Sequence, residues 1–318
     1  MLETRDVDYR LSIFRAVAEQ MSITQASRVL HLSQPAVTKH IKLLEQEVGQ
    51  PQFHRSSQGI VLTAAGTLFL QHARQVARIE EEIFQRIRSG SGVIRGRLTL
   101  GATTTISQYL LPAWLVQSRR LWPELHLQVM NGNTEEIVAA AAERKLDLGL
   151  IEGRCRRVGL STECFLDDEI ICVASARNPL TQGKPVSLAT LKQQTWIFRE
   201  KGSGTRDVVE VALKRYGLDP RQLKIDLELS SSEAIKAVVA MGHGLSFLSR
   251  FVVEREMAQG ILRPVPVRGL AIARQLYFIY PRGPRPLGAA GAFLDLVLRG
   301  TGKLSRSNHV PITSSYDI

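Results

Sequence analysis

Residues 9 to 50 restrict the possible fold of this 318-residue chain more than any other stretch. Leu11, Phe14, Val17 and Ala18 recur at helical spacing, and a second short helix starting near Thr24 turns Ala26, Val29 and Leu30 inward. A break at His31 and Leu32 leads to Ser33, an N-cap residue, with Pro35 in the first turn of a third helix that Gly49 ends. That helix gathers Val37, Ile41, Leu44 and Val48 on one face and leaves Gln34, Thr38, Lys39 and Lys42 on the other. Two extended pieces between Phe53 and Leu62, joined by the polar tip Ser56, Ser57, Gln58 and Gly59, predict a hairpin wing beside the three helices.

From Thr63 to Arg88 no proline intervenes, and Phe69, Val76 and Ile83 recur every seven residues with Ala73, Ile79 and Ile87 between them. An apolar seam sustained over about three heptads predicts a helix that pairs with a partner helix. The glycine and serine of SGSGVIRG, 89–96, mark a hinge. Beyond it, strands at 97–102, 125–130 and 146–151 alternate with helices at 110–119 and 136–144. A second run of this kind follows, with strands at 169–175, 196–198, 224–229 and 245–249 and helices at 205–216 and 233–241. The last strand, 276–280, and the helix 287–299 are too little for a domain and return to the first run. Two α/β lobes joined by crossings near 167 and near 268 result, and ligands bind between such lobes.

The longest apolar stretches, Ile137–Ala142 and Ile170–Ala176, are far shorter than the roughly 18 residues that cross a bilayer, so a membrane protein is not expected. The first ten residues mix both charge signs without an apolar core, which leaves the cytoplasm as the expected compartment. Cys155, Cys164 and Cys172 form no CxxC pair and have no histidine at metal-ligand spacing, so no metal is expected. Cys155 and Cys164 could form a redox pair, with the nearby Arg154, Arg156 and Arg157 favouring a thiolate. Without GxSxG, a Cys-His pair with an orienting group, or clustered carboxylates, an enzyme built on the α/β lobes is weakly supported, and neither catalytic residues nor a cofactor are assigned.

The segment from Ser22 to Gly66 resembles the winged helix-turn-helix of LysR-type transcriptional regulators. Phe14, Ala26, Leu30, SQPAV at 33–37, Ile41, Leu44, Glu45, Gly49, Phe53, Arg55 and LTxAG at 62–66 all fall at that family's spacing. Ser27 stands where alanine is usual, and Gln52 where a leucine normally precedes the phenylalanine. Neither touches the expected DNA surface. The likeness continues to about Gly300, where GATTTISQYLLP, GNTEEI, LIEG, EKGSGTR and SSEAIKAVVAMGHGLSFLSR look most like the CysL-like subgroup of effector domains. The resemblance implies a winged helix-turn-helix over 1–62 and a linker and dimerisation helix over 63–90. A two-lobed effector domain like the periplasmic binding proteins would follow over 91–302, lobe I from 91–166 and 268–302, lobe II from 167–267. Residues 303–318 have no counterpart and read as a disordered tail.

In a helix-turn-helix the first turns of the second helix enter the major groove. Gln34 can pair with adenine, Pro35 can meet a thymine methyl, Thr38 can offer hydroxyl or methyl, and Lys39 can reach guanine or phosphate. The resemblance assigns DNA contact to the same positions, to Ser33 with them, and adds Arg55 and Thr63 as phosphate ligands. Lys42 and His40, a turn further along, point away from the base edges. At the lobes, Thr103 and Thr105 open one helix and Ser203 and Thr205 another, so hydroxyls and free amides favour a small anion there. Thr134 joins this effector set, with Glu152 and His243 as rim candidates, although His243, in GHGL, reads better as a solvated turn residue. The expected partners are promoter DNA, an anionic metabolite, RNA polymerase, and a second copy of the chain in a homodimer or homotetramer. The formal charge of +11 is a poor guide to any of this, because residues 1–90 hold 11 Lys and Arg against 9 Asp and Glu, a net of +2.

Overall fold

The computed structural model describes residues 4–56, 59–88, 94–155 and 157–307, and the chain divides into two compact units, Met1–Gly90 and Ser91–Ile318. In the first unit, helices α1 (Thr4–Gln20), α2 (Ile23–Val29) and α3 (Gln34–Val48) precede a hairpin of β1 (Phe53–Ser56) and β2 (Gly59–Leu62), and helix α4 (Ala64–Arg88) follows. Ser22 caps α2 by accepting from the Gln25 amide, and Ser33 caps α3 by accepting from the Ala36 amide, each at 3.3 Å. Gly49 closes α3 at φ +74°, a left-handed conformation that only glycine adopts without cost. The turn between α2 and α3 is made by His31 at φ +55°. Ile13, Phe14, Val17, Ala26, Val37, Ile41 and Leu44 are buried together, with the Phe14 ring 5.1 Å from Phe53 and 5.0 Å from Phe69.

Helix α4 departs from the expectation of a seam reserved for a partner. Phe69 packs edge-on against Phe14, and Leu70 and Ala73 are buried in the same core, so the first turns of the seam serve their own unit. Val76 is exposed. The side chains of Ile79, Ile83 and Ile87, and the hinge residues 89–93, lie outside the described residues.

In the second unit, β3 (Gly96–Thr103) runs parallel to β4 (Leu125–Gly132) and β5 (Leu148–Glu152), connected through a π-helical turn (Ile106–Leu110), α5 (Leu111–Leu121) and α6 (Thr134–Ala142). The other lobe repeats the pattern with β7 (Thr195–Arg199), β8 (Lys224–Leu229) and β9 (Leu245–Ser249). Its helices are α7 (Leu188–Lys192), α8 (Gly204–Arg215), α9 (Ser232–Ala240) and α10 (Arg250–Ala258). Between the lobes, β6 (Leu160–Ser175) and β11 (Ile272–Pro281) pair antiparallel from Ile170↔Ile272 to Leu160↔Pro281, and short β10 (Leu262–Pro264) pairs with β6. One continuous sheet, β4-β3-β5-β11-β6-β9-β7-β8, therefore runs through both lobes. One core gathers on Trp114, Phe165, Phe278 and Phe293, and another on Trp196, Phe198 and Phe247, where Trp196 stacks on Phe247 at 4.8 Å.

β6 begins at Leu160 rather than 169 because its first half is held by the backbone of β11 and not by an apolar alternation. The tail is corrected as well: helix α11 (Gly288–Ser307) runs past 303, since Lys303, Leu304 and Arg306 favour helix and no proline comes before Pro311. Residues 308–318 lie outside the described residues.

Candidate functional site

Two surfaces carry functional side chains. On α3, burial of Val37, Ile41 and Leu44 turns the opposite face outward as an open concavity lined by Gln34, Pro35, Thr38, Lys39, Lys42, Leu43 and Gln46. Gln34, Pro35, Lys39, Lys42 and Gln46 are exposed. Thr38 donates its hydroxyl to the Gln34 carbonyl at 2.9 Å, which leaves its oxygen free to accept and its methyl to make apolar contact. Ser33 stands at the mouth of this face as the cap. Thr63 is committed to the fold, accepting from the Gly66 amide at 2.9 Å and donating to the Pro51 carbonyl at 2.8 Å, so its hydroxyl proton is not available to a phosphate. Arg55 pairs with Ile60 through the backbone of the wing, and its side chain lies outside the described residues. His40 packs edge-on against Tyr9 at 5.3 Å, behind the concavity.

The second surface is the seam between the lobes. The C-terminal ends of β3 and β5 bring Thr103 and Glu152 to it from one lobe, and the C-terminal end of β7 with the start of α8 brings Arg199, Ser203 and Thr205 from the other. Glu152 Oε1 accepts from Thr103 Oγ1 at 3.1 Å and from the Thr105 amide at 3.2 Å. Its Oε2 accepts from Thr205 Oγ1 at 2.7 Å and from Arg274 Nη1 at 2.8 Å. Arg274, fully buried on β11, also holds Asp168 Oδ2 at 2.6 Å across the β6–β11 pair, and Asp168 accepts from Ser249 at 2.9 Å. Thr134 Oγ1 accepts from the Gly204 amide at 3.2 Å and donates to the Glu152 carbonyl at 3.4 Å. A Cβ at Gly204 would lie 2.3 Å from that carbonyl, so only glycine lets α8 approach β5 this closely.

Burial pushes the Glu152 carboxyl up, but the Arg274 charge, the Thr105 amide, Arg199 and the Thr205 hydroxyl outweigh it and hold the pKa at about 2. Asp168 moves the other way, because burial wins there against Arg274 and Ser249. The difference follows from the neighbouring charges: Glu152 feels Arg199 as well as Arg274, whereas Asp168 has Arg274 and also feels the Glu152 carboxylate, which raises it.

Of the residues expected at the seam, Thr103, Thr105, Thr134, Glu152 and Thr205 join one hydrogen-bonded cluster, and Ser203 adjoins it through Gly204. Among the described residues, the buried Ser203 Oγ meets no hydrogen-bond partner. His243 lies in an exposed turn before β9, where it pairs with Asp226 at 2.7 Å at the opposite end of the strands from Arg199, in keeping with its reading as a solvated turn residue. Sequence reasoning missed Arg199, whose guanidinium reaches Thr104 at 3.5 Å and Ser232 at 3.3 Å beside its Glu200 ion pair, and it missed Arg274, Asp168 and Ser249. Burial and Asp167 push the Cys164 thiol up, against thiolate chemistry, and all three cysteines are free. Among the described residues no His, Cys, Asp or Glu cluster could hold a metal, and no helix is long and apolar enough to cross a membrane.

A three-helix head with an exposed polar recognition face, together with a two-lobed α/β unit whose polar seam lies at the strand ends, defines a DNA-binding protein with a ligand-binding domain. Two family models match. "Bacterial regulatory helix-turn-helix protein, lysR family" covers residues 9–67, and "LysR substrate binding domain" covers residues 91–302. The chain belongs to the LysR family of DNA-binding transcriptional regulators. It is 35% identical over 270 residues to the HTH-type transcriptional regulator CysL of Bacillus subtilis, covering 85% of this chain and 89% of that one. The regulatory domain of Synechocystis CcmR in complex with 2-PG is 29% identical, covers 65% of this chain and 98% of its own, and superposes with a TM-score of 0.60. Full-length CbnR complexed with its target DNA shares the fold at a TM-score of 0.60 and 20% identity, covering 93% of this chain and 99% of that one.

Proposed function

We propose that this regulator reads promoter DNA with Gln34, Pro35, Thr38 and Lys39 of α3, with Arg55 of the wing on the phosphates, and that a small anionic metabolite bound between the lobes controls it. The observation that carries the reading is the outward face of α3, where polar and basic side chains of base-edge reach stand opposite a buried Val37, Ile41 and Leu44. The exposed Val76 and the apolar positions after it support pairing of α4 between two copies, with dimers joined into a homotetramer on an interrupted dyad. CcmR with 2-PG supports an anionic effector, as do the buried guanidinium of Arg199 and the unpartnered Ser203 hydroxyl. Effector binding shifts the lobes, changes the spacing of the DNA heads and the bend they impose, and so alters RNA polymerase recruitment in the cytoplasm. A gel-shift assay with the chain's own promoter tests this: replacing Gln34 and Lys39 together by alanine weakens binding about 100-fold, two lost base contacts, whereas undiminished binding sinks the assignment.

A further inference from the structure

The donors at the seam that a bound carboxylate would use are already turned onto a carboxylate of the chain itself. Thr103, the Thr105 amide, Thr205 and Arg274 converge from both lobes and from the crossing strand on Glu152, whose side chain is 2% exposed. The Gly204 backbone packs over the Glu152 carbonyl, where even a Cβ would come within 2.3 Å of it. Arg199 differs. It is 4% exposed, its ion-pair partner among the described residues is the neighbouring Glu200, which it holds at 2.8 and 3.0 Å, and its bonds to Thr104 and Ser232 are long, at 3.5 and 3.3 Å.

We infer that Glu152 is a tethered anion that fills the inner acid position of the interlobe clamp, so that an external anion is read one layer out, at Arg199, Thr104 and Ser232. This rests on the seam being the effector site. Glu152 is thereby a specificity-determining residue: it joins the lobes through Thr205 without a ligand, and its charge denies the inner position to an effector's acid group. The proteins to compare are the full chain, Glu152→Gln and Glu152→Ala. Alanine removes the CH2–COO− end, which has the heavy atoms of one acetate ion, whereas glutamine keeps the space filled. Thermal unfolding is followed by tryptophan fluorescence at pH 7 in about 100 mM sodium acetate and in matched sodium chloride. Acetate raises the Tm of Glu152→Ala saturably, by roughly 3 °C, and does nothing selective to the natural chain or to Glu152→Gln. Should Glu152→Ala be unfolded in chloride, acetate-dependent refolding supports the proposal equally. An alanine variant that gains no more from acetate than the glutamine variant, or that stays unfolded in both salts, overturns it. The readout is independent of DNA response, so failure of the effector reading leaves it distinguishable.

Discussion

Replacing Arg274 by methionine removes a cation that bridges two buried carboxylates. Glu152 and Asp168 lie 2.8 and 2.6 Å from its guanidinium, and their side chains are 2% and 1% exposed. At an effective dielectric near 20 each contact is worth about 4 kcal/mol or more in gross attraction, most of it offset in the native chain by the cost of burying the guanidinium. The variant keeps the desolvated carboxylates and loses the compensation, so the net cost is about 3–5 kcal/mol at neutral pH. All three tryptophans, Trp114, Trp122 and Trp196, sit in the Ser91–Ile318 unit, so their fluorescence reports that unit alone. With a urea dependence of about 2 kcal/mol per molar, the midpoint falls by roughly 2 M. The deficit also shrinks in acid. Without Arg274, burial raises both carboxyls, so the variant regains stability as they protonate, while the natural chain loses Glu152's contribution over the same descent. A midpoint within about 0.3 M of the natural chain at pH 7, or a deficit unchanged down to pH 4, would refute the reasoning.

Gln52 is fully buried where leucine is usual, and its Oε1 has no partner among the described residues while Nε2 donates to the Gln50 carbonyl. Gln52→Leu is expected to stabilise the first unit by about 1 kcal/mol, seen as a raised melting temperature by circular dichroism; a lowered one would contradict this. Glu152, held at about 2 against an ordinary 4.5, contributes stability that is full above about pH 4.5 and fades as the pH falls towards 2, while the raised Asp168 works in the opposite sense. Glu152→Gln therefore lowers stability at pH 7 by about 3 kcal/mol and flattens the acid arm, measured by urea midpoints at stepped pH. Gly66→Ala would place a Cβ 2.0 Å from the Gln52 carbonyl, so α4 must lift off the wing at a cost of about 2–3 kcal/mol, and limited proteolysis near 62–66 accelerates.

The recognition head was legible because local rules decide it: Ser33 and Gly49 bound α3, and the apolar phase of Val37, Ile41 and Leu44 sets which face looks out. The seam was legible as far as the helix starts at Thr105 and Ser203, since strand-to-helix turns announce themselves by hydroxyl residues. What was hidden is that Glu152 consumes those donors, because Arg274 reaches it only through the pairing of β11 with β5 across a long sequence gap. A signal existed nonetheless. Asp168 stands between Leu166 and Ile170, and Arg274 between Ile272 and Leu276, each a charge on the buried phase of an alternating strand. Two opposite charges in such positions point to a buried pair. The fate of the α4 seam was not legible, because a heptad pattern cannot say whether Phe69 and Ala73 meet a partner or their own Phe14.

The central claim is that α3 reads base sequence. Selection of binding sites from random duplexes by the full-length chain, repeated with Gln34→Ala, tests it most directly. The natural chain enriches an interrupted dyad, and the variant loses base preference at one symmetric pair of positions while keeping the rest. Failure to enrich any motif, or an identical motif from both proteins, would contradict it.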